Sequence, residues 1–118
     1  MADHDNTHRK LRIYFRVVGL PSEHLERVRQ VLADRAMRLS ARKRQGGQGE
    51  VVAIEIDEDF PVAAVASLVQ ELGLSNDSYG VYISLVTEAD QDGFTVPESA
   101  LRVIREVGGQ LDFSFTSV

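Results

Sequence analysis

Four segments of this chain alternate apolar and polar residues: Lys10–Val18, Val51–Asp57, Val81–Thr87 and Leu111–Thr116. Side chains along a strand point alternately to its two faces, so each segment sorts its residues onto opposite sides of a sheet. One face collects Leu11, Ile13, Phe15, Val17, Val52, Ile54, Ile56, Val81, Ile83, Leu85, Leu111, Phe113 and Phe115. The other collects Arg12, Tyr14, Arg16, Ala53, Glu55, Asp57, Tyr82, Ser84, Asp112, Ser114 and Thr116. A sheet covered on both sides would read as unbroken Val/Ile/Leu runs, so this pattern predicts one dry face and one wet face. Only Val51-Val-Ala-Ile54 approaches such a run, which marks the second strand as a candidate for burial on both sides.

The intervals between the strands carry helical spacing. A first helix opens at Pro21 or Ser22 and bears Leu25, Val28, Leu32, Ala36 and Leu39 on one stripe. The basic, glycine-rich segment Arg42–Gly49 then reads as a loop. A second helix covers Val62–Leu72 and stops at Gly73. A third begins at a Thr95/Glu98 capping box with Pro97 in its first turn, buries Ala100, Leu101, Ile104 and Val107, and ends at Gly108-Gly109. The expected fold is α+β: a two-layer sandwich in which a four-stranded mixed sheet carries three helices on one face, in the order β-α-β-α-β-α-β. Residues 10–118 form a single domain behind a disordered tail at 1–9, and 118 residues suffice for one core.

Several chemistries are excluded by residue type or placement. The chain has no cysteine, which removes disulfide frameworks, zinc–thiolate sites and thiol nucleophiles. Gly46-Gly-Gln-Gly49 precedes a strand, whereas phosphate cradles need the glycines at a helix N-terminus. His4 and His8 lie in the tail and His24 in the first helix, without a ligand set. Once Met1 is removed, Ala2-Asp3-His4 has the amine–amide–imidazole order of a square-planar Cu(II) or Ni(II) site, a property open to many tails. No cofactor and no metal is assigned. Ser84, Ser114 and Asp112 share the wet face with no histidine base among the strands, so no serine triad is expected. Glu55, Asp57 and Asp112 are expected to form cross-strand ion pairs with Arg12 or Arg16 rather than an acid–base pair.

Charge is divided along the chain. Residues 1–49 hold 11 Lys/Arg against 5 Asp/Glu, and residues 50–118 hold 2 against 13, within a net charge of −5. The sign opposes nucleic-acid binding, although Tyr14 and Tyr82 beside Arg12 and Arg16 superficially resemble a base-stacking platform. The polar N-terminus shows no apolar stretch of a secretion signal, so no leader is expected. The apolar run Phe60–Val69 is interrupted by Pro61 and Ser67 and is too short to span a bilayer, so a cytoplasmic protein without membrane contact is expected.

The last third carries a resemblance. Tyr82-Ile-Ser-Leu-Val86, Asp92-Gly-Phe-Thr-Val-Pro-Glu98, Leu101-Arg-Val-Ile104, Gly108 and Leu111-Asp-Phe-Ser-Phe115 follow one another in a set order. That order resembles the end of a bacterial domain-of-unknown-function family, number four-two-seven-nine. Its pattern is a strand, a Gly-Gly-Phe-like turn, a Ser-Pro-Glu helix start, a leucine-rich helix, a glycine and a closing Leu-Asp strand. The match lies mainly over residues 78–118, and Leu11–Leu32 is compatible with the family's beginning. The family's Leu-Gly-x-x-Pro-Thr stretch and tryptophan strand are absent, and Arg42–Gly49 stands in their place. The resemblance implies a small cytosolic protein akin to immunity proteins that neutralise toxins, and it brings no catalytic residues.

These readings converge on a non-enzymatic protein-binding module, an immunity-type protein neutralising a basic bacterial toxin. The expected partner-binding residues are Tyr14, Glu55, Asp57, Glu58, Asp59, Tyr82, Glu88, Asp90 and Asp92, with the tyrosines as anchors and the carboxylates steering a basic protein partner. The alternative is a homodimer, joined through the wet face or an edge strand, that binds or senses a small ligand.

Overall fold

The computed structural model describes residues 9–32, 39–88 and 93–118. The chain runs β1 (Arg9–Leu20), α1 (Ser22–Val31), β2 (Leu39–Lys43), β3 (Glu50–Glu55), α2 (Val62–Glu71), β4 (Tyr79–Thr87), α3 (Glu98–Glu106) and β5 (Gln110–Ser117). One mixed sheet has the order β2-β3-β1-β4-β5. β1 lies at its centre, antiparallel to β3 and β4, while β4 and β5 run parallel. The α+β class, the mixed sheet and the three helices agree with the periodicity, but the sheet has five strands rather than four.

The added strand is Leu39–Lys43. Leu39 falls at helical spacing from Ala36 and so extends the first helical stripe on paper, whereas α1 ends at Val31. Leu39 and Ala41 instead sit opposite Ile54 and Val52 on β3, with Ser40 and Arg42 turned to the other face. Arg42 and Lys43 therefore belong to a strand, and only Arg44–Gly49 forms the connection, closed by the Arg44 N–H donating to the Gly49 carbonyl at 3.1 Å. Ala36 and the tail up to His8, with its Ala2-Asp3-His4 motif, lie outside the described residues. Arg9, expected in the tail, opens β1.

Each of the three helices is preceded by one of the chain's three prolines. Pro21, Pro61 and Pro97 occupy the N-cap position, and no side chain caps the helix in any of them. Their carbonyls accept the first helical bonds, from His24 at 2.9 Å, Val65 at 3.0 Å and Ala100 at 3.1 Å. The Thr95/Glu98 capping box is thus not formed. Proline succeeds here because its missing N–H costs nothing before the first turn. Ser22 turns its hydroxyl outward from the helix start, donating to Glu50 Oε2 at 3.0 Å. At the other end of α2, Gly73 takes φ +63° and the Leu74 N–H reaches back to the Val69 carbonyl at 3.2 Å.

All three helices bury their stripes against one sheet face. Val28 and Leu32, then Val62, Val65, Leu68 and Val69, then Ala100 and Val103 join Ile13, Phe15, Val17, Val52, Ile54, Val81 and Ile83 in one cluster. Phe15 sits between Phe60 and Tyr79, with ring centroids 6.3 Å and 6.1 Å away. Each such large apolar side chain contributes about 1.5–3 kcal/mol on burial, which is what holds the two layers together. β3 alternates buried and half-buried residues, so it is covered on one side only and not on both. Leu111, Phe113 and Phe115 share the helix-side face as expected, yet they stay exposed, because β5 is an edge strand beyond the helical layer. Among the described residues, no helix is long and apolar enough to cross a membrane.

Candidate binding face

Strand register assembles the opposite face into rows. Glu55 on β3, Tyr14 on β1, Tyr82 on β4 and Asp112 on β5 lie side by side across four strands. The neighbouring row holds Ser40, Ala53, Arg16, Gly80 and Gln110. Tyr14, Arg16, Ala53, Tyr82 and Ser84 are half-buried there, and none of them belongs to the core cluster. Two expected anchors, Tyr14 and Tyr82, are therefore direct cross-strand neighbours with Glu55 beside them.

Arg16 organises this centre. Its guanidinium carbon lies 4.2 Å from the Tyr82 ring centroid, and its Nη2 donates to Asp112 Oδ2 at 3.2 Å. Gly80, opposite Arg16, has no side chain to compete for that space. The ion pair between Arg16 and Asp112 is one of the expected cross-strand pairings. With side chains 30% and 55% exposed, such a pair adds only about 0–1 kcal/mol, and the cation–π contact about 0.5–1 kcal/mol. Their consequence is orientation: three strands hold one tyrosine ring in place. A shallow depression adjoins it, lined by Tyr14, Arg16, Ser40, Arg42, Val51, Ala53 and Tyr82.

The other expected acidic residues fall elsewhere. Asp57 accepts the Asp59 N–H on Oδ1 at 3.0 Å, a turn-forming bond at the end of β3. Glu58 and Asp59 follow in that exposed turn, and Glu88 is exposed just past the end of β4. These two ends lie at the same end of the sheet, where Lys10 and Arg12 of β1 run between them. Asp90 and Asp92 lie outside the described residues. Sequence reasoning missed Ser40 and Arg42 as face residues, because their strand was read as helix and loop. The alternation Leu39-Ser-Ala-Arg42 was the available signal.

Ser84 and Ser114 are partners in register, one pleat from Asp112. Among the described residues, no group of three or more histidine, cysteine or acidic side chains is arranged to hold a metal ion. Comparison with known proteins finds no matching family model, no matching curated protein and no matching solved structure.

Proposed function

We propose that this chain is a non-enzymatic binding module of the immunity type, and that it neutralises a basic bacterial toxin docked on the open face of its sheet. The observation that carries the reading is the Tyr14–Tyr82 pair, set in register on an uncovered face with Arg16 fixing one ring. Tyrosines held this way offer wide amphipathic contact area and lose little rotamer freedom on binding. Glu55 borders the pair, and the Asp57–Asp59 turn with Glu88 gives one end of the sheet carboxylates that would draw in a cationic surface. The immunity assignment itself draws on the resemblance over residues 78–118 and on the acidic balance of residues 50–118.

A growth competition in the native host tests it. Deleting the gene should leave cells that lose to wild-type siblings in mixed culture, and a wild-type copy should restore them. A copy carrying Tyr14→Ala and Tyr82→Ala should fail to restore them while remaining folded. A deletion strain that competes equally, or full rescue by the double variant, refutes the reading.

A further inference from the structure

The two edges of the sheet are built in opposite ways. β2 has five residues, among them Arg42 and Lys43, and short charged strands resist pairing with another chain. β5 has eight residues, no proline and one charged residue, Asp112. It runs in unbroken register along β4 from Gly80–Gln110 to Thr87–Ser117, so no bulge twists it away. Among the described residues no strand covers its outer side. Its helix-side row is apolar and uncovered: Leu111 is 58% exposed, Phe113 54% and Phe115 39%. Phe94 stacks on Phe113 with centroids 5.4 Å apart, which steadies the ring without hiding it.

We infer that β5 is the seam of a symmetric dimer, in which it pairs antiparallel with β5 of a second copy. The strand's own pattern selects that occupant. A two-fold contact requires each residue's partner to accept it in return. Centred on Phe113, an antiparallel pair sets Leu111 against Phe115, Phe113 against its own copy and Asp112 against Ser114. Apolar residues meet apolar ones on one face, and polar ones meet on the other. The single acidic residue faces a serine instead of its twin and is already neutralised by Arg16 of its own chain. A foreign extended peptide would need no such palindrome.

The area is of the right order. At about 150–250 Å² for a large side chain, the three exposures leave roughly 300 Å² of apolar surface per copy. The paired backbone and the row Asp112, Ser114 and Thr116 would about double that, which reaches the lower end of stable interfaces near 1,200 Å² in total. The pairing also closes on itself, because each copy then presents only its charged β2 edge. Its two-fold axis stands perpendicular to the sheet, so both helical layers share one side. Both Tyr14–Tyr82 pairs lie together on the other.

Sedimentation of the purified chain at tens of micromolar tests the seam. The wild type should have twice the 13.1 kDa chain mass. Phe113→Lys should keep its circular dichroism and weaken dimerisation by about 100-fold, equivalent to ~2.8 kcal/mol. Tyr14→Ala and Tyr82→Ala should leave the dimer intact. Because the chain has no cysteine, Ser114→Cys supplies a unique thiol, and a short bis-maleimide should link its copies. Ser40→Cys, near the opposite edge, should not link. A monomeric wild type, a dimer indifferent to Phe113→Lys, or crosslinking through position 40 instead of 114 overturns the inference.

Discussion

Gly80→Ala probes how β5 is seated, and with it the row that holds Asp112 beside Arg16. Gly80 faces Gln110 where the parallel pair begins. A Cβ on Gly80 would overlap the Gln110 carbonyl oxygen and lie 2.5 Å from its nitrogen and 2.6 Å from its carbonyl carbon. These are backbone atoms, so no rotamer change relieves the clash and the start of β5 must move. Overpacking of this kind costs about 1–3 kcal/mol. Displacement of Asp112 from Arg16 adds about 0–1 kcal/mol. The expected loss is therefore about 1–4 kcal/mol, set against a typical domain's 5–15 kcal/mol. Gly73→Ala is the control: a Cβ there meets nothing within 4 Å, and only its φ of +63° is unfavourable. That backbone penalty alone is about 1 kcal/mol. Urea unfolding gives both values, and hydrogen exchange localises them. Gly80→Ala should strip protection from Leu111–Ser117 while β1 and β3 keep theirs. If Gly80→Ala costs no more than Gly73→Ala and β5 stays equally protected, the close approach of β4 and β5 is wrong.

Other perturbations have separate expected outcomes. Leu85→Ala, at a fully buried position on β4, should destabilise by about 2–5 kcal/mol in urea, and a loss below about 1 kcal/mol would contradict the packing. Arg27 grips Glu71 with two hydrogen bonds of 2.7 Å and 2.9 Å that tie α1 to α2, and donation from Arg27 holds the Glu71 carboxyl below its usual range. A depressed carboxyl stabilises the fold above its unfolded value of about 4.3, and that contribution is lost as pH falls through the folded one. Glu71→Gln should accordingly lower Tm at neutral pH and do so progressively less as the pH falls below the unfolded carboxyl value; an effect that does not diminish on acidification contradicts the pairing. Tyr82→Ala should cost about 1 kcal/mol or less of stability, since its ring is half-buried on the open face under Arg16; a much larger loss would mean the ring is part of the core.

Periodicity carried much of the architecture. Ile13, Phe15 and Val17 alternate with Tyr14 and Arg16 so regularly that both faces of β1 are legible from the sequence. On α3 the expected stripe named Ala100 correctly, but Val103 is the second buried residue, while Leu101, Ile104 and Val107 are only half-buried. Leu39 was misread because one apolar residue satisfies both a period of two and a period near four, and β2 is too short to break the tie. Thr95 and Glu98 have capping-box spacing, but Pro97 stands between them and takes the N-cap position. Alternation also assigns a residue to a face without saying how far from the sheet's centre its strand lies. Leu111, Phe113 and Phe115 therefore read as core while lying on an exposed edge. At the candidate site, the tyrosines were legible as wet-face aromatics. Their adjacency was not, because it depends on which strands flank β1. Glu55 and Asp57 were legible as wet-face residues and the remaining carboxylates by charge, but neither signal reveals that Asp57 is engaged in its own turn.

The open face is the centre of this account, and photo-crosslinking in the living host tests it most directly. A benzophenone amino acid placed at position 82 would report contacts of that face, and one at Ala63, exposed on α2, would report the helical side. The account predicts one discrete adduct from position 82, containing a basic polypeptide, and none from position 63. No adduct at position 82, or equal labelling from both positions, would contradict it.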